Sequence, residues 1–313
     1  MNFVKTYDTF GLYTKLTITN SNGISFTVIP EMGARLNNFV VESKEGLLDI
    51  IDGYTSEEQL ANEYYSKGSL LAPFPNRIAD GLYEFEGRVY NLLINKLDEN
   101  NAIHGFISNK AFSIVRSEAV LDGYELELEY TSKQEKGYPF LFAVNITYRL
   151  SESNKLIVKT KIKNVGQTAQ PMGFGWHPYF TTGVKIDELE LRLPPVQQLE
   201  VDDRLIPTEN LFPMLEWMLP KSLIVSTFDT GFKFTAEDKT IQLIDRHKNL
   251  EINIICGEGY EYVQVFTPPW RSSIAIEPMT CAANAFNNKL GVKVLQPGEC
   301  LSSEFEIFAQ VVQ

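Results

Sequence analysis

The sequence predicts an all-β protein, a large antiparallel β-sandwich, and three observations carry that expectation. The dominant hydrophobic period is two. In "GYELELEY" Tyr124, Leu126, Leu128 and Tyr130 alternate with Glu125, Glu127 and Glu129, and in "KLIVKTKIKN" Leu156, Val158, Thr160 and Ile162 alternate with Lys159, Lys161 and Lys163. Such alternation buries one sheet face and leaves the other in water. Turn chemistry punctuates the strands, as in Asn22-Gly23, Asp122-Gly123 and Pro297-Gly298. Helical periodicity, finally, is scarce.

In chain order the strand-like runs are "TKLTITN", "ISFTVIP", the two alternating segments with "FAVNITYRL" between them, "ELELRL", "TIQLID", "LEINIIC", "YVQVFT", "SIAIEP" and "EFEIFAQVV". The one helical expectation is "TSEEQLANEYY", where Ser56 can cap a short helix opened by Glu57 and Glu58. The connections 42–80 and 196–222 are expected to form loop rims, where functional groups commonly sit. No repeat, linker or low-complexity tract divides the chain, so residues 1–313 are expected to form one domain. With this many strands a sandwich is favoured over a small barrel. The glutamate and lysine rows are expected on solvated faces, where they attract weakly if they coincide.

Composition narrows the function. The net charge of −12 and pI near 4.9 oppose docking on nucleic acid or an anionic membrane. The N-terminus lacks the pattern of a signal peptide or anchor, and no apolar run approaches the ~20 residues of a membrane span. Cys256, Cys281 and Cys300 are odd in number and lack CxxC spacing. The expectation is a cytoplasmic protein with reduced cysteines.

Four polar stations stand out on the β background. In "LAPFPNRIADG" Arg77 follows two prolines and an asparagine; its guanidinium serves equally well to brace a loop or to hold a ligand. In "NAIHGF" His104 precedes Gly105, where the backbone is free to bend sharply. In "GFGWHPYF" His177 lies among aromatic residues and is held extended by Pro178, a setting suited to the apolar face and hydroxyl edge of a sugar. In "SIAIEPMTCAANAF" Glu277 closes an apolar run, and desolvation there makes a carboxylate a stronger base. His247, in a charged turn, reads as solvated surface. Two histidines, an arginine and a carboxylate suit acid–base work on a neutral polyol. No nucleophile elbow, Walker loop or dinucleotide fingerprint accompanies them. A metal site of His104, His177 and Glu277 is a minority alternative, with no ligand spacing to support it.

The ordered motifs "NRIADG", "HGF", "WHPYF", "FDTGF", "VQVFT" and "IEPMTCAANAF" resemble the aldose 1-epimerases, or galactose mutarotases, in particular the bacterial branch with His-Pro-Tyr-Phe. The resemblance covers essentially the whole chain. It implies a galactose mutarotase-like supersandwich with a sugar cleft on a concave face. It implies Glu277 as general base, His177 as the acid that protonates the ring oxygen, and His104 as the second histidine near that oxygen. Asn76, Arg77 and Asp229 match residues that bind sugar hydroxyls, Gln264 matches a glutamine near the base, and Tyr179 lines the cleft. The reaction implied is mutarotation of a free aldohexose, which moves only protons and needs neither cofactor nor metal, by a monomer or homodimer.

Two departures are visible. After "HGF" many relatives place a tryptophan a few residues on, a role Phe112 can fill here. The Ala-Arg of the hexose-6-phosphate mutarotase branch is missing, which favours free sugars, with Lys110 and Arg271 as the remaining candidate phosphate donors. Three other readings stay open: that phosphosugar activity, a glycoside hydrolase using Glu277 and Asp229, and a non-catalytic sugar-binding protein.

Overall fold

Two large antiparallel sheets share one apolar layer in a computed structural model that describes residues 2–62 and 65–312. The nine-stranded sheet contains the predicted strands, observed as Gly123–Thr131, Phe142–Ser151 and Leu156–Asn164, followed by the long C-terminal strand Cys300–Val311 and then Leu250–Cys256 and Thr240–Asp245. Alternation works as expected: Leu126, Leu128, Val158, Thr160 and Ile162 are buried, while Glu129, Lys159, Lys161 and Lys163 are exposed. Register places Glu127 and Lys159 on either side of Thr147, so the acidic and basic rows share the outer face one strand apart.

The eight-stranded sheet carries the site. Its centre is Asp229–Phe234, Tyr262–Phe266 and Ile274–Met279 in neighbouring antiparallel positions, bordered by Gly175–Trp176 and Tyr179–Phe180. Period two divides each strand between core and cleft. Phe232, Phe234, Val263, Val265, Ile274 and Ile276 join the main hydrophobic core, leaving Asp229, Gly231, Gln264 and Glu277 on the opposite face. Trp176 stitches the sheets together. Its indole packs on Tyr148 and Phe305, and Nε1 donates to Thr160 Oγ1 at 2.9 Å.

A five-stranded sheet, from Phe3–Phe10 through Gly46–Asp49, completes the large sheets. The predicted helix is a single turn, Glu57–Ala61, capped by Ser56, whose side chain accepts from Gln59 N; residues 63 and 64 of that stretch lie outside the described residues.

The expected rim at 196–222 is corrected by the structure. Val196–Val201 and Pro207–Pro213 are strands that extend the cleft sheet to its edge. Alternation fails as a signal there because an edge strand is wetted on both sides; Pro207–Pro213 has no buried residue. The 42–80 connection likewise contains Gly46–Asp49, Leu70–Leu71 and Arg77–Ala79 besides the helical turn. Among the described residues no helix is long and apolar enough to cross a membrane, and His247 is exposed.

Candidate active site

Antiparallel register explains why two distant motifs meet. Gly175 pairs with Met279 and Tyr179 with Ala275. His177, midway between, therefore falls opposite Glu277. Within "WHPYF" the strand alternates: Trp176 and Phe180 enter the core, while His177 and Tyr179 face the cleft with stacked rings 5.1 Å apart at 8°. The next strand supplies Gln264 directly beside Glu277, and Gly231 follows in the same row. Gly231 keeps the cleft floor clear, because a Cβ there would lie 3.1 Å from Gln264 Oε1.

Arg77 opens the short strand pair Arg77–Ala79 and Asn101–Ile103, and Asn76 and His104 flank it at the same end. His104 N donates to Asn76 O at 2.9 Å, and Asn76 N donates back to His104 Nδ1 at 3.2 Å. Both residues take positive φ, 55° and 64°, strain typical of a functional turn. Gly105 is required next to them: its φ is +66° and a Cβ would sit 1.9 Å from Ala72 O.

All eight sequence-predicted residues, Asn76, Arg77, His104, His177, Tyr179, Asp229, Gln264 and Glu277, line one cleft of about 530 Å³. At its floor His177 Nε2 lies 3.4 Å from Glu277 Oε1, both side chains at least nine-tenths buried. Glu277 Oε2 and His177 Nδ1 find no hydrogen-bond partner. Buried polar atoms rarely stay unmet, so the floor is built to receive a polar ligand. The ring of His104 stands 5.2 Å from that of His177. Further out, Asp229 accepts from Gln264 Nε2 at 2.7 Å and from Arg77 Nη2 at 3.4 Å.

Burial dominates the electrostatics. It raises the Glu277 carboxyl well above its ordinary range, with the Asp229 charge pushing the same way and Arg77 opposing. Burial also pulls His177 down to about 3, with the charge of Arg35 adding to it. His104 is held well below the usual range by burial, His177 and Arg77. Both imidazoles are therefore neutral. Because His104 Nδ1 accepts from Asn76, its proton resides on Nε2, which is left as a donor.

Sequence reasoning missed Glu99. Its carboxylate takes the Arg77 fork, Oε2 from Nε at 2.5 Å and Oε1 from Nη2 at 3.1 Å. A guanidinium only 7% exposed requires a counter-charge, and that requirement was the available signal. Asn95, Lys96, Tyr65, Phe266 and Pro269 also line the cleft without having been anticipated. The two candidate phosphate donors do not: Lys110 pairs with Glu135, and Arg271 with Asp187 and the carbonyls of Leu223 and Ser226. Phe112 is buried against Tyr130, outside the cleft lining. Among the described residues no group of three or more His, Cys, Asp or Glu is placed to hold a metal.

The sequence profile of the family Aldose 1-epimerase matches residues 14–307. The chain belongs to the aldose 1-epimerase family. It is thereby an isomerase. It is 31% identical to the uncharacterized protein YihR of Escherichia coli K12 over 78% of this chain and 79% of that one. It is 26% identical to human galactose mutarotase over 58% of this chain, an alignment that spans about half (53%) of the human protein. In fold it is similar to a galactose mutarotase-like protein from Clostridium acetobutylicum, with a TM-score of 0.86, 20% identity, and coverage of 99% and 98% of the two chains. The aldose epimerase homologue of Caenorhabditis elegans superposes with a TM-score of 0.84 at 18% identity, over 99% of this chain and 100% of the other. These likenesses establish the galactose mutarotase-like β architecture of this aldose 1-epimerase family member.

Proposed function

We propose that this protein interconverts the α and β anomers of a free aldohexose, with Glu277 as base, His177 as acid, and no cofactor. The observation that carries the reading is the 3.4 Å contact of His177 Nε2 with Glu277 Oε1 at the floor of a cleft walled by hydroxyl-binding groups.

The pair holds one titrating proton in total. Burial favours the uncharged arrangement, carboxylic acid beside neutral imidazole. Transfer of that proton across the contact gives carboxylate and imidazolium without changing net charge. In this form Glu277 removes the proton of the anomeric hydroxyl while His177 protonates the ring oxygen. The C1–O5 bond breaks, the C1 carbonyl forms, and the pair returns to its uncharged form. Ring opening therefore relaxes the buried dyad while it creates the less stable aldehyde, and the two changes partly offset. Rotation about C1–C2 and the reverse proton movements close the other anomer. Positioned acid and base each supply on the order of two to four decades. His104, with its Nε2–H, is the donor assigned to the ring-oxygen region, and Asn76, Arg77, Asp229 and Gln264 are the hydroxyl ligands.

Free sugars are favoured over phosphosugars because the cations that line the cleft, Arg77 and Lys96, are both ion-paired. A hydrolase would use Asp229 as partner carboxylate, yet both of its oxygens are committed to Gln264 and Arg77. A pure binder has no use for a buried acid against an imidazole. The acidic net charge and free cysteines fit a cytoplasmic site of action. Magnetisation-transfer NMR on equilibrated aldohexoses is expected to show faster anomer exchange with protein present, and Glu277→Gln to lower kcat by about 10³-fold or more. Full activity in that variant removes Glu277 from the mechanism.

A further inference from the structure

We infer that Glu99 makes the cleft select neutral aldoses and turn away anionic ones, an inference that rests on the sugar-binding reading above. Anion recognition by arginine depends on offering two parallel N–H groups to two oxygens. In Arg77 that edge is already occupied: Nε and Nη2 donate to the two oxygens of Glu99 at 2.5 and 3.1 Å. Nη2 also donates to Asp229 Oδ2 at 3.4 Å and Nη1 to Asn76 Oδ1 at 3.1 Å. Of five guanidinium N–H groups, one on Nη1 is left for a ligand, enough for a hydroxyl and not for a carboxylate or phosphate.

Glu99 also neutralises the second cation of the cleft. Lys96 Nζ lies 3.8 Å from Glu99 Oε1 and 3.0 Å from Asp98 Oδ2. Arg77 and Lys96 are thus matched by Glu99 and Asp229 on the cleft wall. The Glu99 carboxylate stays ionised. Burial works against this, but the hydrogen bond and charge of Arg77 prevail and hold it below the ordinary range. Its backbone is fixed from another part of the chain. Arg204, between the strands Val196–Val201 and Pro207–Pro213, donates through Nε to Glu99 O at 3.1 Å and through Nη2 to Asn100 O and Asn101 Oδ1. The stopper on the Arg77 fork is therefore held in place by the cleft wall itself.

The test compares glucose with glucuronate, which differs at C6 by a carboxylate, on the wild type, Glu99→Gln and Glu99→Asp. Calorimetric binding and anomer-exchange rates are measured for each. In Glu99→Gln the glucuronate-to-glucose affinity ratio is expected to rise at least about tenfold, with the gain shrinking as salt is added. Glu99→Asp, which keeps the charge, is expected to retain the wild-type ratio. An unchanged ratio in Glu99→Gln, an equal loss for both sugars, or wild-type binding of glucuronate as tight as glucose overturns the inference. If the wild type binds glucose but accelerates no anomer exchange, the catalytic proposal fails while the affinity ratio still decides the role of Glu99.

Discussion

Burial gives Glu277 a pH-dependent cost in stability. A carboxyl whose folded pKa is raised contributes most to stability below its unfolded pKa, near 4.5, and that contribution is lost as pH rises through the folded value. His177, depressed to about 3, acts at the other end: its contribution is present above its unfolded pKa near 6.5 and is lost as pH falls toward 3. Glu277→Gln removes the first liability. The variant is expected to be inactive yet more stable at pH 8, by on the order of 1 kcal/mol or about 2 °C in Tm, with the gain vanishing near pH 4. Thermal melts across that range check it, and a gain independent of pH would count against a buried titrating carboxyl. In the proposed mechanism the same dyad sets the rate profile. Activity is expected to fall in acid as the pair takes a second proton near the His177 value of about 3, and in alkali as the raised Glu277 carboxyl loses the only one, which a kcat/KM profile against pH checks.

At the scale of elements, the cleft is assembled by strand register and one strained turn, and these differ in how far sequence reveals them. The alternation in "WHPYF" was legible, because Trp176 and Phe180 belong to the core while His177 and Tyr179 do not. The opposition of His177 and Glu277 was legible only through family resemblance, since pairing of segments a hundred residues apart is written in no local period. The two strands from 196 to 213, the outer one at the sheet edge, read as loop in sequence because neither face is consistently buried. Glu99 was missed because its meaning depends on Arg77, which the register Ile103–Arg77 brings near. The turn at Gly105 provides an element-scale test. Gly105→Ala meets Ala72 O and an unfavourable φ, so a loss of about 2–3 kcal/mol is expected in urea unfolding. Because His104 precedes it, kcat should fall even where the variant is fully folded.

Across the whole molecule, one hydrophobic cluster runs through residues of all three large sheets, from Leu16 and Phe26 through Val144 and Trp176 to Ile276 and Phe305. We propose on this ground that residues 1–313 fold as one cooperative unit, with Trp176 as the coupling between the cleft sheet and its nine-stranded partner. Trp176 neighbours His177, and its indole is fixed by Thr160 on the facing sheet. Loss of contact between the sheets is therefore expected to free the strand that holds His177, the proposed acid. Near-UV circular dichroism, far-UV circular dichroism and anomer-exchange activity are expected to be lost in a single coincident urea transition. Trp176→Phe leaves the Thr160 hydroxyl without its indole partner and a gap in the shared layer, so the common midpoint should drop by about 2–4 kcal/mol in stability. Separate transitions for structure and activity, or a variant that loses activity while the midpoint stays fixed, would show that the two sheets are not energetically one body.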